Sequence, residues 1–404
     1  MKLLPTALGG LLILVQSAAM ASAEDLAGPW PSPNGNLKNV IQHPTVPSKE
    51  IAYQITHVEL AFMNSDTFNK DVAEWPLFTT VEKVRTHFRP GTKVMVAIGG
   101  WSDNKGFDTA ARTPESRKKW AQNVADMVKA TGADGVDIDW EYPGGNGEDY
   151  KNITNEEKKW EIDAYPLLLE EIRRQLPREK LISAATPGLE GDMIAFTKEH
   201  TPRIARALDF MNVMAYDMVG RRANVTQHHT GLELSRIAVE NYMNRGVPAH
   251  KINLGLAFYT KWISTTDCPE GKEVGCPTPL MEDPVTGADL GKTGGFSWAD
   301  GVSAGDKESF ARAEKDGKYD EKGGGYYYLD RAEKKFWTYD NPDAIRRKFP
   351  AIVDRMRIGG VFAWGLGEDG PEYNNLKTVN EELAKRRDRR PGIWGPGPHD
   401  SDEL

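Results

Sequence analysis

Residues 134–142 read Asp-Gly-Val-Asp-Ile-Asp-Trp-Glu-Tyr, and this stretch decides how the rest of the chain is interpreted. As a β-strand it places Asp137, Asp139 and Glu141 on one face, because side chains alternate along a strand. Edge strands also carry charges that block pairing. Here the apolar residues between the acids favour a strand packed on its other face. Asp134 points to that second face, and we expect it to accept hydrogen bonds at the start of the strand.

A row of three carboxyl groups has consequences for acid–base chemistry. Neighbouring ionised acids repel each other, which raises the pKa of at least one of them. A Glu that stays protonated at the open end of such a row is suited to act as a general acid. We therefore predict an active site in which Glu141 donates a proton.

The spacing Asp-x-x-Asp-x-Asp-x-Glu, formed here by Asp134, Asp137, Asp139 and Glu141, resembles the signature of family 18 glycoside hydrolases, the chitinases and their relatives. The resemblance implies substrate-assisted hydrolysis, in which the acetamido carbonyl of the substrate attacks its own anomeric carbon. Glu141 would protonate the leaving oxygen and then activate water. Asp139 would hold the acetamido N–H, and Asp137 would share a proton with Asp139. This chemistry needs no metal and no cofactor.

Two further segments carry the same resemblance. Residues 97–101 resemble the family's Ser-x-Gly-Gly followed by Trp, with Ala97 in place of the Ser. Residues 214–217 match Met-x-Tyr-Asp, and Tyr216 would orient the acetamido carbonyl. Lys261 stands where the family often has Arg, which keeps the charge but loses the two-pronged guanidinium. The resemblance implies substrate contacts from Gly100, Trp101, Tyr142, Met214, Asp217, Tyr259 and Trp364.

Apolar runs rich in Val, Ile and Phe alternate with amphipathic stretches, which predicts a (β/α)8 barrel. A doubly wound sheet is the alternative. The barrel is favoured because polar and aromatic residues recur at the C-terminal ends of the strands, where barrel active sites lie. We assign the barrel to residues 24–262 and 337–384. Strands are predicted near Asn39–Gln42, Val58–Met63, Val94–Trp101, Gly135–Tyr142, Leu181–Thr186, Phe210–Asp217, Ile252–Tyr259 and Gly359–Trp364.

Residues 263–336 are too many for a single helix between strand 7 and strand 8. Their aromatic content argues against a disordered loop and predicts a small α+β insertion domain, with a helix near Ser309–Lys315. The family resemblance implies that this domain forms one wall of a substrate cleft. Cys268 and Cys276 lie inside it. We expect them to form a disulfide if the chain is exported, with two free thiols as the alternative and no metal-ligand spacing around them.

The ends of the chain suggest export. Residues 1–23 resemble a secretory signal peptide, with Lys2, an apolar run and small residues before Glu24. A membrane anchor is the alternative, but the apolar run is short. Residues 385–404 form a tail whose last four residues, 401–404, resemble an ER-retrieval signal. We expect a secreted protein, or an ER-retained one if that signal acts. Asn152 and Asn224 begin sequons for N-glycosylation.

Composition narrows the range of partners. The 404-residue chain has a formal net charge of −8, which argues against nucleic acid and anionic membranes. Its 11 Trp suit a cleft in which sugars stack on rings. We expect a monomer acting on chitin or chito-oligosaccharides. The alternatives are an endo-β-N-acetylglucosaminidase acting on N-glycans, a chitin-binding lectin or inhibitor on the same scaffold, and a structural wall protein.

Overall fold

The structure, a computed structural model, describes residues 10–16, 46–299 and 301–388. Its strands are β1 (Gly10–Gln16), β2 (His57–Met63), β3 (Lys93–Gly99), β4 (Gly135–Asp139), β5 (Leu181–Pro187), β6 (Phe210–Met214), β7 (Ile252–Ala257), β8 (Tyr259–Ser264), β9 (Thr293–Ser297), β10 (Lys318–Asp320), β11 (Gly325–Asp330), β12 (Lys335–Tyr339) and β13 (Gly360–Trp364). Its α-helices are α1 (Val81–Arg85), α2 (Lys105–Ala111), α3 (Pro114–Thr131), α4 (Asn155–Lys158), α5 (Trp160–Gln175), α6 (Thr201–Ala207), α7 (Leu232–Asn244), α8 (Lys307–Asp316), α9 (Pro342–Lys348) and α10 (Asn374–Asp388).

Among the described residues, eight strands close a barrel in the order β1-β13-β7-β6-β5-β4-β3-β2. From β2 through β7 to β13 the neighbouring strands are parallel, so their C-terminal ends meet at one rim. The predicted (β/α)8 barrel with a small domain inserted before its last strand is confirmed. The rim at the C-terminal ends is where such barrels carry their active sites.

The first barrel strand differs from the expectation. β1 lies inside the segment predicted to be a signal peptide, and it pairs antiparallel with both β2 and β13. Its sequence, Gly-Leu-Leu-Ile-Leu-Val-Gln, is almost entirely apolar. Such a run suits a position in a barrel, where a strand is covered on both faces. The strand expected near Asn39–Gln42 lies outside the described residues.

Strand β4 is held at its start by Asp134, as its position on the second face predicted. The Asp134 carboxylate accepts a hydrogen bond of 2.8 Å from the backbone N–H of Val94 and forms an ion pair of 2.6 Å with Arg85. The preceding helix α3 is capped by the Thr113 side chain and stops at Gly132, which is in the left-handed region with φ 71°. These caps fix where β4 enters the barrel.

The inserted domain begins almost directly after the barrel strand β7. Its antiparallel sheet has the order β10-β11-β12-β8-β9, and β8 begins after a single residue, Phe258, that follows β7. The sheet therefore runs from Tyr259 to Tyr339, a few residues beyond the predicted 263–336. Helix α8 covers it, with Phe310 packed 5.0 Å from the ring of Trp337. The domain stands as a wall beside the rim that bears the ends of β6 and β7.

Cys268 and Cys276 are both free thiols in this structure, so the disulfide expected between them stays a prediction. The Cys268 thiol donates to the Lys272 carbonyl oxygen at 3.5 Å, and the Cys276 thiol donates to the Pro277 carbonyl oxygen at 3.7 Å. Burial, followed by the hydrogen bond with Cys268, raises the pKa of Cys276 to about 12. A thiol with that pKa stays protonated near neutral pH, and the thiolate is the form that reacts.

Among the described residues, no helix is both long enough and apolar enough to cross a membrane.

Candidate active site

The acid row, defined as Asp137, Asp139 and Glu141, runs from the inside of the barrel to its rim. Strand β4 ends at Asp139, so Glu141 lies on the loop that follows and not on the strand itself. Asp137 is 1% exposed and Asp139 is 5% exposed, whereas Glu141 is partly exposed. The row therefore presents its last carboxyl group to a ligand and keeps the other two inside.

Asp137 is surrounded by hydrogen-bond donors from the next strands. Its Oδ1 atom accepts from the Ser183 hydroxyl at 2.6 Å and from the Asn212 side-chain N–H at 3.2 Å. Burial raises the pKa of Asp137 to about 6, and these two hydrogen bonds keep it from rising further. Of the three acids in the row, Asp137 is thus the one best suited to be ionised at neutral pH.

Asp139 has the opposite character. Within the described residues its Oδ1 atom has no hydrogen-bond partner. Burial raises the pKa of Asp139 well above its ordinary value, and the charges of Glu141 and Asp137 raise it further. These shifts favour the protonated form of Asp139, and its free oxygen is available to a ligand.

Glu141 has the pKa that a general acid needs. Burial raises it to about 8, and the charges of Asp217 and Asp192 add to that shift, while a hydrogen bond from Tyr142 opposes it. At neutral pH this carboxyl group still holds its proton. The spacing of the three acids thus corresponds to a row in which the outermost acid is ready to donate its proton.

Glycines allow β3 to approach the acid row closely. Gly99 and Gly100 have φ values of 111° and 99°, a region that side chains rarely adopt. A Cβ atom on Gly99 would lie 2.2 Å from the Asp139 carbonyl oxygen. The Gly100 N–H donates to that same oxygen at 2.8 Å. These contacts fix the end of β4, and with it the position of Asp139.

Asp217 follows β6 and is held ionised. Its Oδ1 atom accepts a hydrogen bond of 2.7 Å from the Tyr259 hydroxyl and lies 2.6 Å from the Lys261 ammonium group. Burial alone would raise the pKa of Asp217, but Lys261 and His229 hold it well below its ordinary value. Lys261, the residue that departs from the family pattern, thus still supplies a positive charge to this acid.

Tyr216 remains a hydrogen-bond donor at all ordinary pH values. Burial raises its pKa well above the ordinary value, and the charges of Asp139 and Glu141 raise it further. Its ring lies between those of Tyr259, at 6.1 Å, and Phe362, at 5.9 Å. The phenol is therefore fixed beside the acid row.

Asp139, Glu141, Tyr216 and Asp217 line one cavity of about 1190 Å³ at the rim. Its floor includes Trp364, whose ring stacks on Phe62 with centroids 5.5 Å apart and 18° between the planes. Trp101, 41% exposed, lies at its edge with its ring 6.1 Å from that of Tyr142. The sequence-predicted residues that line the cavity are Trp101, Asp139, Glu141, Tyr142, Met214, Tyr216, Asp217, Tyr259 and Trp364.

The model of the family described as "Glycosyl hydrolases family 18" matches residues 32–369 of this chain. The chain belongs to family 18 of the glycosyl hydrolases. The match spans the barrel from before β2 to beyond β13, and it includes the acid row and the inserted domain.

Named relatives of this family 18 protein include fungal and bacterial enzymes. Endochitinase 1 of Metarhizium anisopliae is 30% identical over 296 residues, covering 69% of this chain and 62% of the relative. Chitinase B of Serratia marcescens is 26% identical over 407 residues, covering 81% and 76%. This chain thus spans less than two thirds of the length of the Metarhizium relative. The crystal structure of a chitinase from Rhizomucor miehei is similar in fold, with a TM-score of 0.67 at 20% identity, covering 83% of this chain and 96% of that one.

Two predicted site residues of this family 18 protein lie outside the cavity lining. Asp137 lies below it, and Gly100 acts through its backbone. Sequence reasoning missed Phe62 beneath Trp364, and it missed Ser183 and Asn212 around Asp137. Each is a single residue in an apolar strand without a spacing pattern. The signal that could have found the last two is a polar side chain at an inward position of a barrel strand.

Within the described part of the chain, no group of three or more His, Cys, Asp or Glu side chains could hold a metal ion.

Proposed function

We propose that this family 18 protein hydrolyses the β-1,4 linkages between N-acetylglucosamine units of chitin or chito-oligosaccharides, with retention of configuration. The observation that carries the proposal is the acid row, which leads from the buried Asp137 to Glu141 in a cavity floored and edged by aromatic rings. Aromatic rings are suitable platforms for sugars, and a protonated Glu at the open end is suitable for cleavage of the glycosidic bond.

In the first step the acetamido carbonyl oxygen of the substrate attacks its own anomeric carbon. Glu141 gives its proton to the glycosidic oxygen, and the bond from that oxygen to the anomeric carbon breaks. Asp139 accepts a hydrogen bond from the acetamido N–H through its free oxygen and stabilises the positive oxazolinium-like ring. The Tyr216 hydroxyl donates to the acetamido oxygen and orients it.

In the second step Glu141, now a carboxylate, takes a proton from a water molecule that attacks the anomeric carbon. The bond from the acetamido oxygen to that carbon breaks, so the β configuration is restored and Glu141 is protonated again. Asp137 stays ionised beneath Asp139 throughout, supported by the donors Ser183 and Asn212. The acids titrate as one coupled set because each charge affects its neighbours.

The experiment is product analysis by mass spectrometry with chitohexaose and, separately, a high-mannose glycopeptide. We expect cleavage of chitohexaose, and we expect Glu141→Gln to lower turnover by about 10²- to 10⁴-fold, because it cannot donate the proton. The variant should still bind the oligosaccharide. Near-native turnover by Glu141→Gln would contradict the assignment.

The same experiment separates the alternatives. Release of glycan from the glycopeptide would identify an endo-β-N-acetylglucosaminidase and would make the retrieval-like residues 401–404 worth testing. Binding of chitohexaose without cleavage by the native protein would identify a lectin.

We also propose that the protein is exported, carries glycans at Asn152 and Asn224 where the host adds them, and acts as a monomer without nucleic acid or membrane partners. The support is the resemblance of residues 1–23 to a signal peptide and the acidic net charge of −8. Cleavage before Glu24 would remove β1, so a later segment would then supply the first barrel strand. N-terminal sequencing of the protein purified from culture medium tests this proposal.

A further inference from the structure

A fourth carboxyl group lies inside the barrel beneath the acid row. Glu59 on β2 is completely buried. Its Oε1 atom accepts from the Asn212 side-chain N–H at 3.1 Å and lies 3.5 Å from the Ser183 hydroxyl. These are the same two groups that donate to Asp137. Glu59 and Asp137 therefore share their donors and face each other across the barrel interior.

The shared donors leave one oxygen of each acid without a partner. Among the described residues, neither Glu59 Oε2 nor Asp137 Oδ2 has a hydrogen-bond partner. Asn212 has no further N–H group to donate, because its amide N–H groups are directed to the two acids. Its carbonyl oxygen accepts from Asn253 at 3.1 Å. Two ionised carboxylates in this position would repel each other, with only the two shared donors to offset the repulsion. One proton between their free oxygens removes the repulsion and fills the missing hydrogen bond.

The strand next to Asp137 explains why a donor is missing. Ala97 on β3 pairs with Asp137 in the register of the sheet, and its methyl group cannot donate. The family pattern that residues 97–101 resemble has a Ser at this position. The hydroxyl is absent here, and Glu59, which shares Ser183 and Asn212 with Asp137, can supply a donor in its place when it is protonated.

We propose that Glu59 is a positioning residue whose neutral carboxylic acid donates a hydrogen bond to Asp137 and keeps that carboxylate ionised beneath Asp139. The proposal rests on the proposed function, since Asp139 is the group that would meet the substrate. In the resting row the protons lie on Glu59 and Asp139, with the Asp137 carboxylate between them. Asp139 can then rotate toward the substrate and keep its own proton, because Glu59 still donates a hydrogen bond to Asp137.

The surroundings of Glu59 agree with this distribution of protons. The groups that face it are Asp137 on β4, Ser183 on β5 and Asn212 on β6, with Asp139 farther along β4. Burial raises the pKa of Glu59 well above its ordinary value, and the charge of Asp137 raises it further. The pKa of Asp137 itself rises only to about 6. No positive charge is among the causes of the Glu59 shift, and the hydrogen bonds from Asn212 and Ser183, which lower its pKa, do not cancel the effect of burial.

The test compares Glu59→Gln with Glu59→Leu, measuring kcat and KM on chitohexaose. The Gln amide accepts from Asn212 and donates to Asp137 as the neutral acid does, so Glu59→Gln should keep most of the native kcat. The Leu side chain cannot donate, so Glu59→Leu should lower kcat about 10- to 100-fold, the effect of one hydrogen bond to a charged group. KM should stay near native, because Glu59 does not reach the cavity.

A matched pair at Glu171 controls for loss of a buried Glu in general. Glu171 lies on α5 outside the barrel and is 9% exposed. Its Leu and Gln variants should have equal kcat values. Infrared spectra at neutral pH give a readout that does not need turnover: the absorption of a protonated carboxyl group should weaken in Glu59→Gln relative to the native protein.

Three results would overturn the proposal. Native kcat in Glu59→Leu would mean that Asp137 needs no donor from below. Equal loss in both Glu59 variants, with both folded, would mean that the carboxylate form is required. An infrared spectrum of Glu59→Gln without the expected loss would mean that Glu59 is ionised. Inactivity of the native protein on chitohexaose would contradict the proposed function, while the infrared result would still decide the protonation of Glu59.

Discussion

Glu141 and Asp217 are acids of the same cleft, and their surroundings shift their pKa values in opposite directions. Burial raises the pKa of Glu141 to about 8, whereas Lys261 and His229 hold the pKa of Asp217 well below its ordinary value. One acid is therefore protonated at neutral pH and the other is ionised. Opposite pKa shifts of this kind let a site use one carboxyl group as a proton donor and another as a fixed negative charge.

The pH dependence of activity follows from the Glu141 pKa. As a general acid it must be protonated, so kcat/KM on a chito-oligosaccharide should fall as pH rises through about 8. Asp192→Asn removes a negative charge that raises the Glu141 pKa. The fall in kcat/KM should then begin at lower pH. Asp163→Asn, on the exposed side of α5, is the control and should leave the profile unchanged. A shift to higher pH in Asp192→Asn would contradict the assignment.

At the scale of elements, the site depends on how closely β3 and β4 approach. Gly99 ends β3, and its Cα faces the Asp139 carbonyl oxygen at the end of β4. The space at this point is smaller than a methyl group, so the glycine is required by packing as well as by its positive φ.

Gly99→Ala should displace the end of β4 and lower kcat strongly, because the new Cβ would lie 2.2 Å from the Asp139 carbonyl oxygen. Gly91→Ala is a matched control. Gly91 also has a positive φ, 90°, but no atom lies within 4 Å of its added Cβ. Both variants carry the backbone strain of a positive φ, so the difference between their kcat values measures the clash. Equal kcat values would show that the close approach is unimportant.

Sequence patterns predicted the elements that depend on residues close together in the chain. The alternation of residues along β4 was sufficient to place that strand. Glu59 was missed because its function depends on partners from β4, β5 and β6, which no local spacing reveals. The first barrel strand and the signal peptide stay predictions, because an apolar run such as that of β1 fits a secretory leader and a barrel strand equally well.

The remaining differences between the sequence predictions and the structure concern the boundary of the inserted domain and the two cysteines. The insertion boundary was set a few residues too late because β8 follows β7 after Phe258, with no turn signal between them. The disulfide was inferred from an even cysteine count and an exported chain, neither of which fixes the distance or the geometry between two thiols. In the structure the two free thiols contact each other as well as backbone carbonyl oxygens, and the disulfide stays a prediction.

At the scale of the whole molecule, the loop after β4 meets the inserted domain across the edge of the cleft. The Tyr150 hydroxyl contacts the Glu282 carboxylate, and the Lys151 ammonium group donates to the Pro284 carbonyl oxygen at 2.8 Å. Arg222 lies over the Tyr150 ring at 4.7 Å. Tyr150, Lys151 and Glu282 also line the cavity, so these contacts bridge its two sides.

Opening this bridge should change where a long substrate is cut. A polymer enters an open groove along its length more readily than it passes beneath a bridge. The double variant Tyr150→Phe/Lys151→Ala should therefore make more internal cuts in a soluble chitin derivative. The measurement is the fall in viscosity per reducing end formed, which should be steeper than for the native protein. Lys159→Ala, an exposed neighbour outside the cavity, is the control. An unchanged ratio in the double variant would mean that the bridge does not restrict entry.

The acids inside the barrel also affect the exchange of protons between the folded chain and its solvent. The formal net charge of −8 counts every Asp and Glu as ionised. Burial raises the pKa of Glu141 to about 8 and the pKa values of Glu59 and Asp139 well above their ordinary values, so the folded protein holds protons there that the unfolded chain releases. Denaturation in a weakly buffered solution just above neutral pH should therefore acidify the solution. By linkage, alkaline conditions favour the unfolded chain, and the barrel resists heat better in mildly acidic surroundings.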